Sequence, residues 1–132
     1  MVVNYLTAGL LAIMIFYSFG IAINVHRTLD KGNAGKLLRK LFPVYFLWGI
    51  LISVIAEIIY FYKGLETQAF IMAVIAIGYL YSRQVLVPKL NKNRDLANEG
   101  DKESKKIFSS LHFQSVLINL IQMLLLTIIL FI

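Results

Sequence analysis

Cysteine is absent from this chain, and histidine, proline and tryptophan are nearly so, at two, two and one. Without cysteine there is no disulfide, thiolate metal site or cysteine nucleophile, while the compartment stays open. Charge is scarce as well. Only 15% of the 132 residues are charged, where a soluble domain holds roughly a quarter. Acidic residues number seven, and Glu57 is the only one inside an apolar run. No nucleophile–base pair, glycine-rich phosphate loop or paired carboxylates occur. The chain therefore specifies no reaction and reads as non-enzymatic.

What it has instead is hydrocarbon. Hydrophobic residues make up 59% of the chain, and the mean hydropathy is +0.76. Four apolar runs stand out, at about Val2–Val25, Leu41–Tyr62, Ala69–Leu90 and Ile107–Ile132. Each reaches the roughly 20 residues needed to cross a bilayer core of about 30 Å. The pattern predicts an all-α fold, a polytopic four-helix bundle integral to the membrane. Residues 1–132 form one domain in this reading, with no room for a soluble one. The first run is too long for a secretory signal and lacks its basic start, so it is expected to be retained.

The net charge of +6 is not read as a nucleic-acid footprint, because its placement follows the spans. The first connection holds Arg27, Lys31, Lys36, Arg39 and Lys40, and the third holds Lys89, Lys92, Arg94, Lys102, Lys105 and Lys106. The second holds only Lys63. The positive-inside rule then puts loops 26–40 and 91–106 in the cytoplasm and both termini outside. In a prokaryote the membrane would be the cytoplasmic one. The basic loops are expected to meet anionic headgroups.

Turn formers Asp30, Gly32, Asn33 and Gly35 predict a loop over Thr28–Lys40. Pro43 is expected in the first turn of the second helix, where its missing N–H does no harm. Lys63–Gln68 is a short link between antiparallel neighbours. Pro88 is expected to mark the inner end of the third helix. Asn91–Lys106 reads as a mixed-charge loop, with at most an extra helical turn. A shift by half the chain lays Arg39–Glu57 over Lys105–Met123, matching Lys40, Phe42 and Leu51 to Lys106, Phe108 and Leu117. A duplication would then relate the two hairpins by a pseudo-two-fold along the membrane normal.

The last run carries an aligned polar stripe: His112, Ser115, Asn119 and Gln122. Steps of three, four and three place all four on one helix face. Polar groups in hydrocarbon are costly unless partnered, so the stripe is the leading candidate for a buried contact or a site. The second run carries Gly49, Ser53 and Glu57 at four-residue steps. By height, Glu57 pairs with Gln122 and Ser53 with Asn119. Such residues either lock the bundle, at about 1 kcal/mol per contact, or leave Glu57 to meet a proton or ligand. Arg83 either snorkels to the cytoplasmic surface or lines a pocket suited to a carboxylate or phosphate headgroup. His26 and His112 share the cytoplasmic side, and two imidazoles can ligate haem iron or half of a zinc shell.

Three stretches carry a family resemblance: Gly35-x-x-Leu38-x-x-Leu41-Phe42-Pro43-x-Tyr45-Phe46, Tyr79 to Pro88, and Phe108-x-x-Leu111-His112-x-x-Ser115-Val116-x-x-Asn119. Together the chain resembles, over nearly its full length, the small four-helix membrane proteins similar to eukaryotic transmembrane protein 205. That resemblance implies a four-helix integral membrane protein of unsettled activity. The Asn24-Val25-His26-Arg27 stretch departs from the proline and apolar-aromatic pair that often follows the first helix in that family.

The resulting expectation is a binding module or accessory subunit working at the inner-leaflet site of helix 4. Its ligand would be a lipid headgroup, small amphiphile or metal. The alternatives are a haem- or metal-binding redox protein using His112 and His26, and a proton or ion relay through Glu57, Asn119 and His112. The expected partners are the bilayer, further copies of the chain or a larger membrane complex, and not nucleic acid.

Overall fold

The computed structural model describes residues 2–132. It contains four long helices: α1 (Val2–Thr28), α2 (Lys31–Tyr62), α3 (Glu66–Asn98) and α4 (Lys102–Phe131). All four are long and apolar enough to cross a membrane, and no strand occurs among the described residues.

The helices outrun the apolar segments that predict them. Thr28–Lys40 is not a loop: only Leu29 and Asp30 separate α1 from α2. Asp30 caps α2 by accepting from the backbone N–H groups of Gly32 and Asn33, both at 3.1 Å. A good cap outweighs the modest helix penalty of the following glycines. Asn91–Lys106 is likewise helical except for Glu99–Asp101, and Asp101 caps α4 through Glu103 N–H at 3.0 Å. These two caps do not fall on matching positions under the half-chain shift. Gly64 and Gly100 take φ of 70° and 99°, a left-handed conformation that glycine adopts without steric cost.

Both prolines lie inside helices rather than at their ends. Pro43 removes one N–H from the interior of α2, leaving the Arg39 carbonyl without its usual donor. Pro88 follows a π-helical stretch, Ser82–Leu86, in which Val87 N–H reaches back to the Ser82 carbonyl. A second π-helical stretch, Phe16–Ala22, widens α1. There the Asn24 amide donates to the Gly20 carbonyl at 2.6 Å.

Lipid tails are as apolar as leucine, so close packing and internal hydrogen bonds hold such a bundle together. Leu10, Met14, Ala56, Met72, Ile75 and Leu126 form its dry centre. Gly49 of α2 admits the Tyr79 ring of α3, since a Cβ there would lie 2.5 Å from Tyr79 Cε1. Thr7 and Tyr60 share a hydrogen bond of 2.8 Å between α1 and α2. α4 packs on the Val2–Ile15 part of α1 and on α3. Beyond Ile15, α1 parts from α4, and the space between them becomes a fork.

Candidate functional site

The fork holds a cavity of about 420 Å³, walled by all four helices. This volume is in the range of small-molecule sites. Along α4 the wall runs from Phe108 through His112, Ser115, Val116, Asn119 and Leu120 to Met123. At 1.5 Å per residue that stripe is about 22 Å long. The π-helical stretch of α1 supplies Tyr17, Ser18, Phe19 and Ala22, with Ile23 and His26 beyond it. Such stretches recur at functional sites because they re-aim side chains that a regular helix would place elsewhere.

At the closed end lies a polar clasp. Asn119 Nδ2 donates to Ser18 Oγ at 2.9 Å, and Tyr45 Oη donates to Asn119 Oδ1 at 3.1 Å. One amide thus ties α4 to α1 and α2. Tyr45 is fixed by the Tyr17 ring, stacked on it with centroids 4.1 Å apart and planes at 12°. Phe42 meets Tyr17 edge-on and stacks on Phe46. The Tyr17 hydroxyl is buried and has no hydrogen-bond partner among the described residues.

At the other end the wall is basic. Arg94 of α3 lies 5.4 Å over the Phe108 ring and donates to the Gly35 carbonyl at 3.4 Å. Arg39 of α2 forms an ion pair with Asp95. His26 and His112 complete this end. The imidazole of His112 stacks on Phe108, with centroids 6.2 Å apart and planes at 8°. Phe19, Val116 and Leu120 line the cavity yet are largely exposed. The opening therefore faces sideways, between α1 and α4, toward where lipid would stand.

The stripe on α4 divides here. His112, Ser115 and Asn119 line the cavity, and His26 joins them. Gln122 does not: it turns to α3 and donates to the Ile75 carbonyl at 2.9 Å. Gln122 is only about 20° round the helix from Ser115 but about 10 Å further along it, at the level where α4 packs on Gly78 of α3. A Cβ on Gly78 would lie 2.8 Å from Gln122 Nε2. Ser53 satisfies itself within α2 by donating to the Gly49 carbonyl. The expected pairs Glu57–Gln122 and Ser53–Asn119 are thus replaced by other partners. Glu57 is half-buried and makes no hydrogen bond among the described residues. Arg83 lies outside the cavity and donates to the Pro43 carbonyl at 3.2 Å.

Arg39 and Arg94 are the residues that sequence reasoning missed, because both fall in segments expected to be loops. The helix signal was present in the Asp30 cap and in the absence of proline between Lys89 and Lys106. Among the described residues no group of three or more histidine, cysteine or acidic side chains stands close enough to hold a metal. His26 and His112 alone would supply two nitrogen ligands, half of a zinc shell or the two axial positions of a haem.

Fold and cavity together define a four-helix membrane protein with a ligand-sized cleft opening sideways. The chain belongs to the family described as Domain of unknown function (DUF4149), whose model matches residues 5–99. No curated protein and no solved structure matches it. The family match covers nearly all of α1 and the whole of α2 and α3. It therefore includes His26, Arg39 and Arg94 but ends before His112, Ser115 and Asn119.

Proposed function

We propose that this protein is a non-enzymatic membrane binding module whose working site is the fork between α1 and α4. The observation that supports it is the cavity itself: about 420 Å³, apolar along its length, polar at both ends and open sideways. Phe19, Val116 and Leu120 stand exposed at that opening, where an amphiphile in the bilayer would enter. His26, His112 and Ser115 make no hydrogen bonds among the described residues, which leaves their polar atoms available to a ligand.

Native mass spectrometry of the purified chain in nanodiscs tests this reading. Wild type should retain an amphiphile at one copy per chain. Ser115→Trp should fill the cavity and lose the adduct while keeping its helical circular dichroism. Equal retention by both proteins, or none by wild type, would overturn the reading.

The placement in the membrane belongs to the same reading. The basic residues of α1, α2, α3 and α4 gather at one end of the bundle, where Arg39 meets Asp95 and Arg94 meets Gly35. That end is the cytoplasmic one by the positive-inside rule, with both termini outside. Likeness to transmembrane protein 205 and a place as an accessory subunit of a larger complex fit the small size and apolar exterior. One observation favours a second reading, a haem- or metal-binding redox protein: His26 and His112 line the same cavity. A Soret band or stoichiometric metal lost in His112→Ala would establish it. A relay from Glu57 has less support, because Glu57 lies off the cavity and Asn119 is held by Ser18 and Tyr45.

A further inference from the structure

We propose that the cavity takes an anionic amphiphile, its phosphate or carboxylate held by Arg94 and Arg39 and its tail laid along α4. The inference rests on the cavity being a binding site and adds the chemistry of what binds.

The ionisable walls are one-sided. His26, Arg39, Arg94 and His112 line the cavity, along with two tyrosines, and no acidic residue does. Arg94 has no carboxylate partner among the described residues. Its only polar contact is the long one to Gly35, and its guanidinium is otherwise spread over Phe108. An arginine held this way keeps most of its donors for a planar, two-oxygen anion. Arg39 is committed to Asp95, but their side chains are 43% and 55% exposed. An exposed pair of that kind holds weakly, so a bound anion can share Arg39. Asp95 is the acid at this rim, and it lies outside the wall.

The charge is also confined to one end. Arg39 and Arg94 belong to the helical extensions, level with Phe108, whereas Leu120, Met123 and Phe46 lie toward the far end. A free anion would satisfy only the rim, and a neutral hydrocarbon only the slot. A molecule with an anionic head and a chain satisfies both, and the sideways opening admits it from the bilayer.

Binding to the full-length chain in neutral detergent, followed by thermal stabilisation, tests this with four probes: oleate, oleyl alcohol, lysophosphatidate and inorganic phosphate. Oleate and lysophosphatidate should bind wild type about tenfold more tightly than the alcohol. Arg94→Gln should erase that preference, Arg94→Lys should restore part of it, and the alcohol should bind all three equally, showing that the cavity is intact. If phosphate alone stabilised as well as lysophosphatidate, the site would be one for a free anion and the amphiphile would be wrong. If acid and alcohol bound wild type equally, the headgroup assignment would fall while the cavity reading stood. If no probe bound, both would fall.

Discussion

Asn119 of α4 reaches Ser18 of α1 where the two helices separate, and it is the last side-chain hydrogen bond between them before the fork opens. The same amide accepts from Tyr45, so the crotch of the fork is pinned from two sides. Most of the cavity wall, from Phe108 to Ser115 on α4 and from Phe19 to His26 on α1, lies below this pin.

Asn119→Leu should therefore loosen the fork without unfolding the bundle. The expected loss is about 1 kcal/mol, in keeping with single polar contacts inside membranes. Hydrogen exchange locates the effect: amides of Phe16–Ala22 should exchange faster while those of Val2–Ile15 keep their protection. Uniform loss along α1 would mean that the pin holds no local boundary.

The Gly49–Tyr79 contact makes a sharper demand. Gly49→Ala forces a Cβ into the buried Tyr79 ring, and overpacking of this kind costs about 1–3 kcal/mol. Gly9→Ala is the control, because nothing lies within 4 Å of its added carbon. Unfolding midpoints in detergent should fall for the first and hold or rise slightly for the second.

Tyr79 offers a test of opposite sign. Its hydroxyl is buried without a hydrogen-bond partner among the described residues. Removing a polar group that has no partner relieves a desolvation cost. Tyr79→Phe should leave stability unchanged or raise it, whereas Tyr45→Phe should lower it by breaking the bond to Asn119. A clear loss in Tyr79→Phe would show that its hydroxyl has a partner after all.

The aspartate caps give the helix starts a pH dependence. Hydrogen bonds from Ser104, the side chain first, hold the Asp101 carboxyl below its ordinary value, and those from Asn33 do the same for Asp30. A carboxyl lowered in the folded state stabilises fully above its unfolded value of about 3.9. That contribution disappears as pH falls through the lowered folded values. Carboxyl NMR should place both midpoints below the ordinary aspartate range, and Ser104→Ala should move the Asp101 midpoint upward. An unmoved midpoint would remove the Ser104 cap contact from the account.

The bundle itself was legible in the sequence because span length and apolar content are set by local composition. So was half of the site: the periodicity of His112, Ser115 and Asn119 needs no knowledge of neighbours to place them on one face. The same periodicity groups Gln122 with them, although it bonds α3 instead. A stripe about 80° wide and about 15 Å long meets two different helices, and only the packing tells which end faces α3. Height along the helix suggests a distant partner for Ser53, but a buried hydroxyl in a helix can bond its own preceding turn, as Ser53 does with Gly49. The π-helical stretches leave little trace beyond Gly20 and Pro88, yet they shape the α1 wall. The basic extensions of α2 and α3 looked like loops because glycine, asparagine and lysine are read as solvent-facing irregular chain. Asp30 caps the start of α2, and Val87–Asn98 simply continues α3.

These extensions give the molecule an uneven profile across a bilayer. α2 alone has 32 residues, about 48 Å of helix against a hydrocarbon core of about 30 Å. The surplus lies on the basic side, where α2, α3 and α4 continue as helix, while the opposite ends are joined or terminate near the apolar boundary. A protein approaching the basic side meets, among the described residues, only the short links Leu29–Asp30 and Glu99–Asp101 between helices. It meets a collar of fixed height and fixed charge spacing, and must match that shape as it is.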